Sequence, residues 1–329
     1  MLLETRDALA CHTNIRFPSP IGGVPFSLDF APSIIFAILY GMLIPLALYR
    51  WISKSSRTLT LFGTTTFAIE RVVAMALRAK QSHNALDRTS RTLTRYMQVS
   101  WGTGYISLAT ALTTFLRALL VNATLPSSSS SSSPATHVES GSDGFIIMEE
   151  APRAVTEEDR LNDRLWYRRV FDVTNWLYLV ATVLGIVSGS IYDKAETDQG
   201  QANLIQGLRY ASTGMAFGLT VAVQGIAISS ILYTRNVIRS SALIVVGLTC
   251  LLDIICVYHL IIMRSHTTSL TSLESGSLNS TSDKALFYIF QIAPEWITAA
   301  TVLGINARER FKTGLWGEEF LTKDKKPSS

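Results

Sequence analysis

Seven stretches of about 20 mainly apolar residues, separated by polar segments, constrain this chain more than any other feature. A helix rises about 1.5 Å per residue, so about 20 residues cover the ~30 Å of bilayer hydrocarbon, and its peptide groups satisfy one another without water. The stretches are residues 30–51, 59–77, 97–121, 170–191, 207–233, 241–263 and 285–305. They are apolar nearly all round, whereas a soluble amphipathic helix keeps a polar stripe. The expected fold class is all-α, a polytopic transmembrane bundle of seven helices. The second stretch is rich in threonine and carries Glu70 and Arg71 at its centre, so six spans are the alternative. Composition agrees, with 48% of the residues hydrophobic, 16% charged and a mean hydropathy of +0.27.

The amino terminus, MLLETRDALACHTNIRFPSP, lacks a continuous apolar core of signal-peptide length and is acidic where a basic flank is expected, so no cleavage is expected. With the amino terminus outside and the carboxyl terminus cytoplasmic, 16 lysines and arginines fall on the cytoplasmic side and 11 outside, leaving Arg71 and Arg117 of the 29 within the bilayer. The positive-inside rule favours that orientation, although the basic loop after the second stretch argues the other way. Arg117, about a turn from the end of the third span, is expected to snorkel to the interface. The organisation expected is an extracytoplasmic tail (1–29), spans one to three (30–121), a cytoplasmic linker (122–169), spans four to seven (170–305) and a basic cytoplasmic tail (306–329).

The linker holds serines 127 to 133 between Pro126 and Pro134, a composition that buries nothing and cannot repay its ordering entropy. A passive tether is the plainer reading and a phosphorylated segment the sharper one. Before span four, EEDRLNDRLWYRRVFD reads either as an interfacial helix or as an ordinary basic flank. Two glycosylation sequons, at Asn122 and Asn279, fall on opposite sides, and only Asn279 faces outward in this orientation. Cys11, Cys250 and Cys256 offer no disulfide framework, and a metal cluster of Asp253, Cys256 and His259 is disfavoured because steps of three residues spread them around a helix. No metal or cofactor is expected.

Small residues at Ala181, Gly185 and Gly189 in span four, and at Gly214, Gly218 and Gly225 in span five, are expected to be helix packing faces. The candidate polar core consists of Glu70 and Arg71 in span two, Asp253 in span six and Glu295 in span seven. A charge at the bilayer centre costs about 3 kcal/mol on insertion scales, so such residues face the bundle interior and find partners. Adjacent on one helix, Glu70 and Arg71 project ~100° apart and are expected to look to other helices, with Arg71 shared by the three carboxylates. Either this is a hydrogen-bonded network that orders the bundle, or it lines a wet cavity that binds a cation, a proton or a polar headgroup. Pro294, beside Glu295, is expected to kink span seven or free a carbonyl there, and Pro45 makes a similar break in span one.

Seven spans, the proline and acid pair in QIAPEWITAA and the following INARERFKTGLWGEE resemble fungal heptahelical membrane proteins, including the lipid-translocating-exporter and orphan-receptor-like groups. That resemblance implies a plasma-membrane or endomembrane protein that senses or handles an apolar or lipid-like compound. A rhodopsin-type receptor is disfavoured, because span three ends in FLRALLVN without Asp-Arg-Tyr and span seven lacks Asn-Pro-x-x-Tyr. No Gly-x-Ser-x-Gly, His-Glu-x-x-His or histidine cluster occurs in the spans, so no catalytic residue and no enzyme are expected. No nucleic-acid partner is expected, because flanking lysines and arginines account for the pI near 9.0. The partners left are the lipid bilayer and an apolar or lipid ligand, the cytoplasmic partner being unspecified. Two functions remain, a divergent heptahelical sensor and a transporter or lipid translocator. The absence of internal repeats favours the first.

Overall fold

The computed structural model describes residues 15–54, 56–124, 161–233, 237–314 and 317–318. Cys11, the serine tract and the end of the basic tail lie outside the described residues. The long helices are α1 (Phe30–Gly41), α2 (Leu43–Ile52), α3 (Leu61–His83), α4 (Arg91–Ala123), α5 (Leu161–Ser190), α6 (Gln199–Tyr233) and α7 (Arg239–Ile262). Then follow α8 (Thr281–Phe287), a π-helical turn at Tyr288–Ile292 and α9 (Ala293–Gly304). Six helical units are long and apolar enough to cross a membrane: Ser27–Ile52, Arg91–Ala123, Asn162–Ser190, Gln199–Tyr233, Arg239–Ile262 and Thr281–Gly304. They fit a multi-pass membrane protein. The 23 residues of α3 match the others in length, but Glu70, Arg71 and Arg78 set it apart in composition.

Both prolines act where their missing N–H is felt. Pro45 cannot donate to the carbonyl of Gly41, and the first apolar unit breaks at Met42 between α1 and α2. Pro294 follows the π turn that interrupts the last unit, two residues after Ile292. Threonines are tolerated because their hydroxyls return to the preceding turn, as in Thr65 to Leu61 O at 2.9 Å, Thr110 to Ile106 O at 2.9 Å and Thr220 to Ala216 O at 2.8 Å.

Successive helices alternate between two ends of the bundle. The upper end gathers β1 (Phe17–Pro18), paired antiparallel with β2 (His266–Thr267), and Tyr192, whose hydroxyl donates to Pro18 O at 2.6 Å. At the lower end β3 (Thr313–Gly314) pairs with β4 (Gly317–Glu318), and Thr58, just before α3, donates to Gly314 O at 3.1 Å. The far end of α3 carries Arg78, which donates to Gly22 O at 2.6 Å in the upper segment. Helix α3 therefore runs the length of the bundle.

Helix α4 is the centre, with 72% of its apolar stretch buried against 22% for α1 with α2 and for α5. Trp101, Tyr105 and Phe115 of α4 lie in the core. The outer surface is apolar instead of polar: Ile35, Ile38 and Met42 on one side and Val173, Trp176 and Val183 on another are all exposed. The charged Arg71 and Glu295 at mid-span are fully buried, which is the distribution a lipid solvent requires. Of the segment before span four, residues 157–160 lie outside the described residues and the rest, from Leu161, is helical. That part continues without a break as the first turns of α5, and Arg164 is buried against Thr124, because the guanidinium reaches the Thr124 carbonyl and hydroxyl at the end of α4. Arg117 pairs with the exposed Asp172 of α5 at 2.5 Å.

Candidate functional site

Arg71 of α3 is fully buried and uses every N–H of its guanidinium. Nε and Nη2 donate to Glu295 Oε2 and Oε1 at 2.8 and 3.0 Å. Nη1 donates to Glu70 Oε2 at 2.9 Å and to Ser100 Oγ at 2.7 Å, and Nη2 also reaches Ser100 O at 3.2 Å. The bidentate fork to Glu295 is the strongest geometry available to such a pair, and the flanking rings of Phe67 and Trp101, 4.7 and 4.6 Å from Cζ, complete the shell.

Glu70 does pair with Arg71, against the expectation drawn from their 100° separation. The two side chains leave α3 in different directions but converge on Ser100 of α4, which accepts from Arg71 and donates to Glu70 Oε1 at 2.6 Å. Tyr96 adds a bond to the same Oε1 at 3.0 Å. Tyr96, Ser100 and Gly104 step by four residues along one face of α4, the signal in YMQVSWGTG that points to this site.

Asp253 does not join them. It lies on α7 at the edge of the buried Leu252, Ile255 and Cys256 face, half-buried, and its Oδ1 is buried with no hydrogen-bond partner. It lines a lateral groove of about 670 Å³ between α6, α7 and α8. Phe217 and Val221 of α6, Ile254 and Val257 of α7, Leu286 of α8 and Phe290 of the π turn form its apolar walls. His259, by contrast, is fully buried, with Nε2 3.1 Å from Gln291 Oε1 and the Tyr105 ring edge-on at 5.1 Å. Among the described residues no group of three metal-binding side chains forms.

Sequence reading missed a second polar cluster at the upper end. Asp29 is buried between Arg78, at 2.8 Å, and Lys284, whose ammonium also donates to Val24 O at 2.6 Å. Tyr288 donates to Asp29 Oδ1 at 3.1 Å and shares a 2.9 Å bond with Ser33. These bonds, with Arg78 to Gly22 O, staple the segment before α1 across the top of the bundle. A third arginine, Arg209 of α6, donates to Ser19 O at 3.1 Å and to Gln98 Oε1 at 2.6 Å, beneath the Tyr192 ring. Arg78 and Lys284 sit at the ends of apolar stretches, where basic flanks are ordinary, so nothing in the sequence set them apart.

The two glycine stripes differ. A Cβ on Gly185 would meet Thr103 Cγ2 at 2.6 Å and one on Gly189 would meet Val99 N at 2.6 Å, so α5 packs on α4 through these two residues, while the carbonyl of the buried Ala181 accepts from Ser212 Oγ of α6 at 2.7 Å. Gly214, Gly218 and Gly225 do not pack on another helix of this chain. They have nothing near an added Cβ, because α6 turns Ser212, Ala216, Thr220 and Val223 inward instead.

Asn279 is also placed otherwise than a glycan acceptor requires. It is buried, accepts from Val24 N at 2.7 Å, and its amide nitrogen donates to Leu270 O and Ser272 O at 2.9 and 2.7 Å, leaving no room for a sugar on that nitrogen. Asn122 likewise donates its amide to Lys312 O at 2.8 Å.

The chain matches no protein-family model, no curated protein and no solved structure.

Proposed function

We propose that this protein is a heptahelical membrane sensor whose ligand is an apolar, lipid-like molecule that enters sideways from the bilayer. The observation that carries this reading is the groove between α6, α7 and α8, whose volume of about 670 Å³ lies within the ~300–1,000 Å³ range of small-molecule sites and whose mouth lies on the apolar outer surface. Counting α3 as the seventh span is supported by its reach from Thr58, beside Gly314, to Arg78, beside Gly22. Seven crossings put the two termini on opposite sides, and the excess of lysine and arginine supports an outer amino terminus and a cytoplasmic carboxyl terminus.

Against the transporter alternative, the Arg71, Glu70 and Glu295 cluster supports a structural role. Its guanidinium donors are all occupied, and the cavities beside Arg209 and His259 and beside Arg78 and Gln98 are only about 10 and 20 Å³. A path for a solute needs far more room than a single water occupies.

The test is thermal unfolding of the protein in phospholipid nanodiscs with a panel of lipids and sterols. A ligand at a hundred times its Kd stabilises by about 2.7 kcal/mol, and Val257→Trp, which fills the groove, is expected to remove that gain. Stabilisation that survives Val257→Trp overturns the groove as the site. Movement of a fluorescent lipid between leaflets of proteoliposomes, faster than in protein-free vesicles, makes the protein a translocator instead.

A further inference from the structure

We propose that the lateral groove takes a cationic amphiphile, an apolar body carrying one ammonium group that pairs with Asp253. The inference rests on the groove being a ligand site and adds the chemistry of the ligand.

Among the residues lining the groove two are carboxylates, Asp253 and Asp283, and none is lysine, arginine or histidine. Asp283 is already engaged, accepting from Ser280 Oγ at 2.7 Å in the cap of α8. Asp253 has no such partner: its Oδ1 is buried and unbonded. Buried polar oxygens are nearly always hydrogen-bonded, and an acid held at membrane depth is costly until a partner arrives. The cations that answer carboxylates elsewhere in the bundle are committed, Arg71 to Glu70 and Glu295, and Arg78 and Lys284 to Asp29. Among the described residues no basic side chain pairs with Asp253, and its proposed partner comes from outside the chain.

The groove also fixes where the rest of the ligand lies. From Asp253 to Ile262 the helix advances nine residues, about 14 Å, and the lining over that length is Ile254, Val257, Tyr258 and Ile261, faced by Leu286 and Phe290. An ammonium supplies both the hydrogen bond and the opposite charge at Asp253, while its hydrocarbon covers these side chains. A carboxylate or phosphate in the same place would meet two acids and no base. A hydroxyl would satisfy the oxygen without answering the charge.

The experiment is equilibrium binding of radiolabelled octadecylamine, octadecanol and octadecanoate to the full-length protein in zwitterionic nanodiscs, with empty nanodiscs subtracted. Octadecylamine is expected to bind saturably, octadecanol at least tenfold more weakly, and octadecanoate without saturation. Asp253→Asn is expected to weaken the amine at least tenfold and leave octadecanol unchanged, while Val257→Trp abolishes both. Equal binding of amine and alcohol, or amine binding that ignores Asp253→Asn, overturns the charge recognition while the groove remains a lipid site. Absence of saturable binding by all three probes overturns this proposal, and the nanodisc lipid panel then decides separately whether the groove binds anything. Should Asp253→Asn not fold, the amine-to-alcohol ratio of the parent protein and its loss in Val257→Trp decide between recognition of the charge and its failure.

Discussion

Gly104 is the floor on which Arg71 lies: a Cβ built on Gly104 would stand 1.9 Å from Arg71 Nη2. The guanidinium cannot retreat, because its other donors are held by Glu70, Glu295 and Ser100. Gly104→Ala is expected to break the network and cost about 3–5 kcal/mol, the usual penalty for disrupting a buried ion pair. Gly102→Ala, where the nearest atom to an added Cβ is Ile21 Cδ1 at 4.0 Å, is expected to stay within about 0.5 kcal/mol. Unfolding in mixed detergent micelles measures both, and equal effects would refute the role given to Gly104.

The two carboxylates on Arg71 are unequal. Glu295 is wholly buried and bidentate, whereas the Glu70 side chain is 31% exposed. Glu295→Gln is expected to cost about 3–5 kcal/mol and Glu70→Gln about 1 kcal/mol. Replacing the buried pair together, Arg71→Met with Glu295→Leu, is expected to recover more than half of the single-variant loss, with Glu70 still held by Tyr96 and Ser100. No recovery would mean that the charges are needed for something other than stability.

At the upper end two acids outside the spans respond to pH in opposite senses. The hydrogen bond from Arg95 holds the Asp193 carboxyl below its ordinary range, and burial pushes Glu196 above its own. A lowered folded pKa gives stability above the ordinary carboxylate range that is lost as pH falls. A raised one gives stability at acid pH that is lost as pH rises through it. Asp193→Asn is therefore expected to lower Tm at pH 7 and to converge with the parent only as pH falls below the ordinary carboxylate range. Glu196→Gln is expected to raise Tm at pH 7 and to match the parent at about pH 4. A pH-independent difference in either variant contradicts the assignment.

Crossing by α3 is decided by accessibility. In a cysteine-free background, single cysteines at Asp87 and Thr271 are expected to react with a membrane-impermeant maleimide from the same side, and one at Lys54 from the opposite side. Labelling of positions 54 and 87 from one side would remove α3 from the spans and leave six.

Much of this architecture was legible in the sequence. The apolar lengths set the helices, since a peptide group in hydrocarbon has no partner but its own helix. Pro45 and Pro294 marked the breaks at Met42 and Tyr288–Ile292, because a missing N–H acts locally. Partnering did not follow from local rules. That Arg71 meets Glu70 was decided by Ser100 on another helix, and that Asp253 stands alone was decided by the rotation of α7, which turns Leu252 and Cys256 inward and leaves the acid in the groove. The glycines of α5 and α6 look alike in sequence, yet only Gly185 and Gly189 touch a neighbour. A helix's length and breaks are written in its own residues, while its rotation about its axis is set by packing against all the others. The sequence therefore determined a bundle of apolar helices with charges inside it, and the tertiary structure alone decided which charges meet and which one faces the groove without a partner.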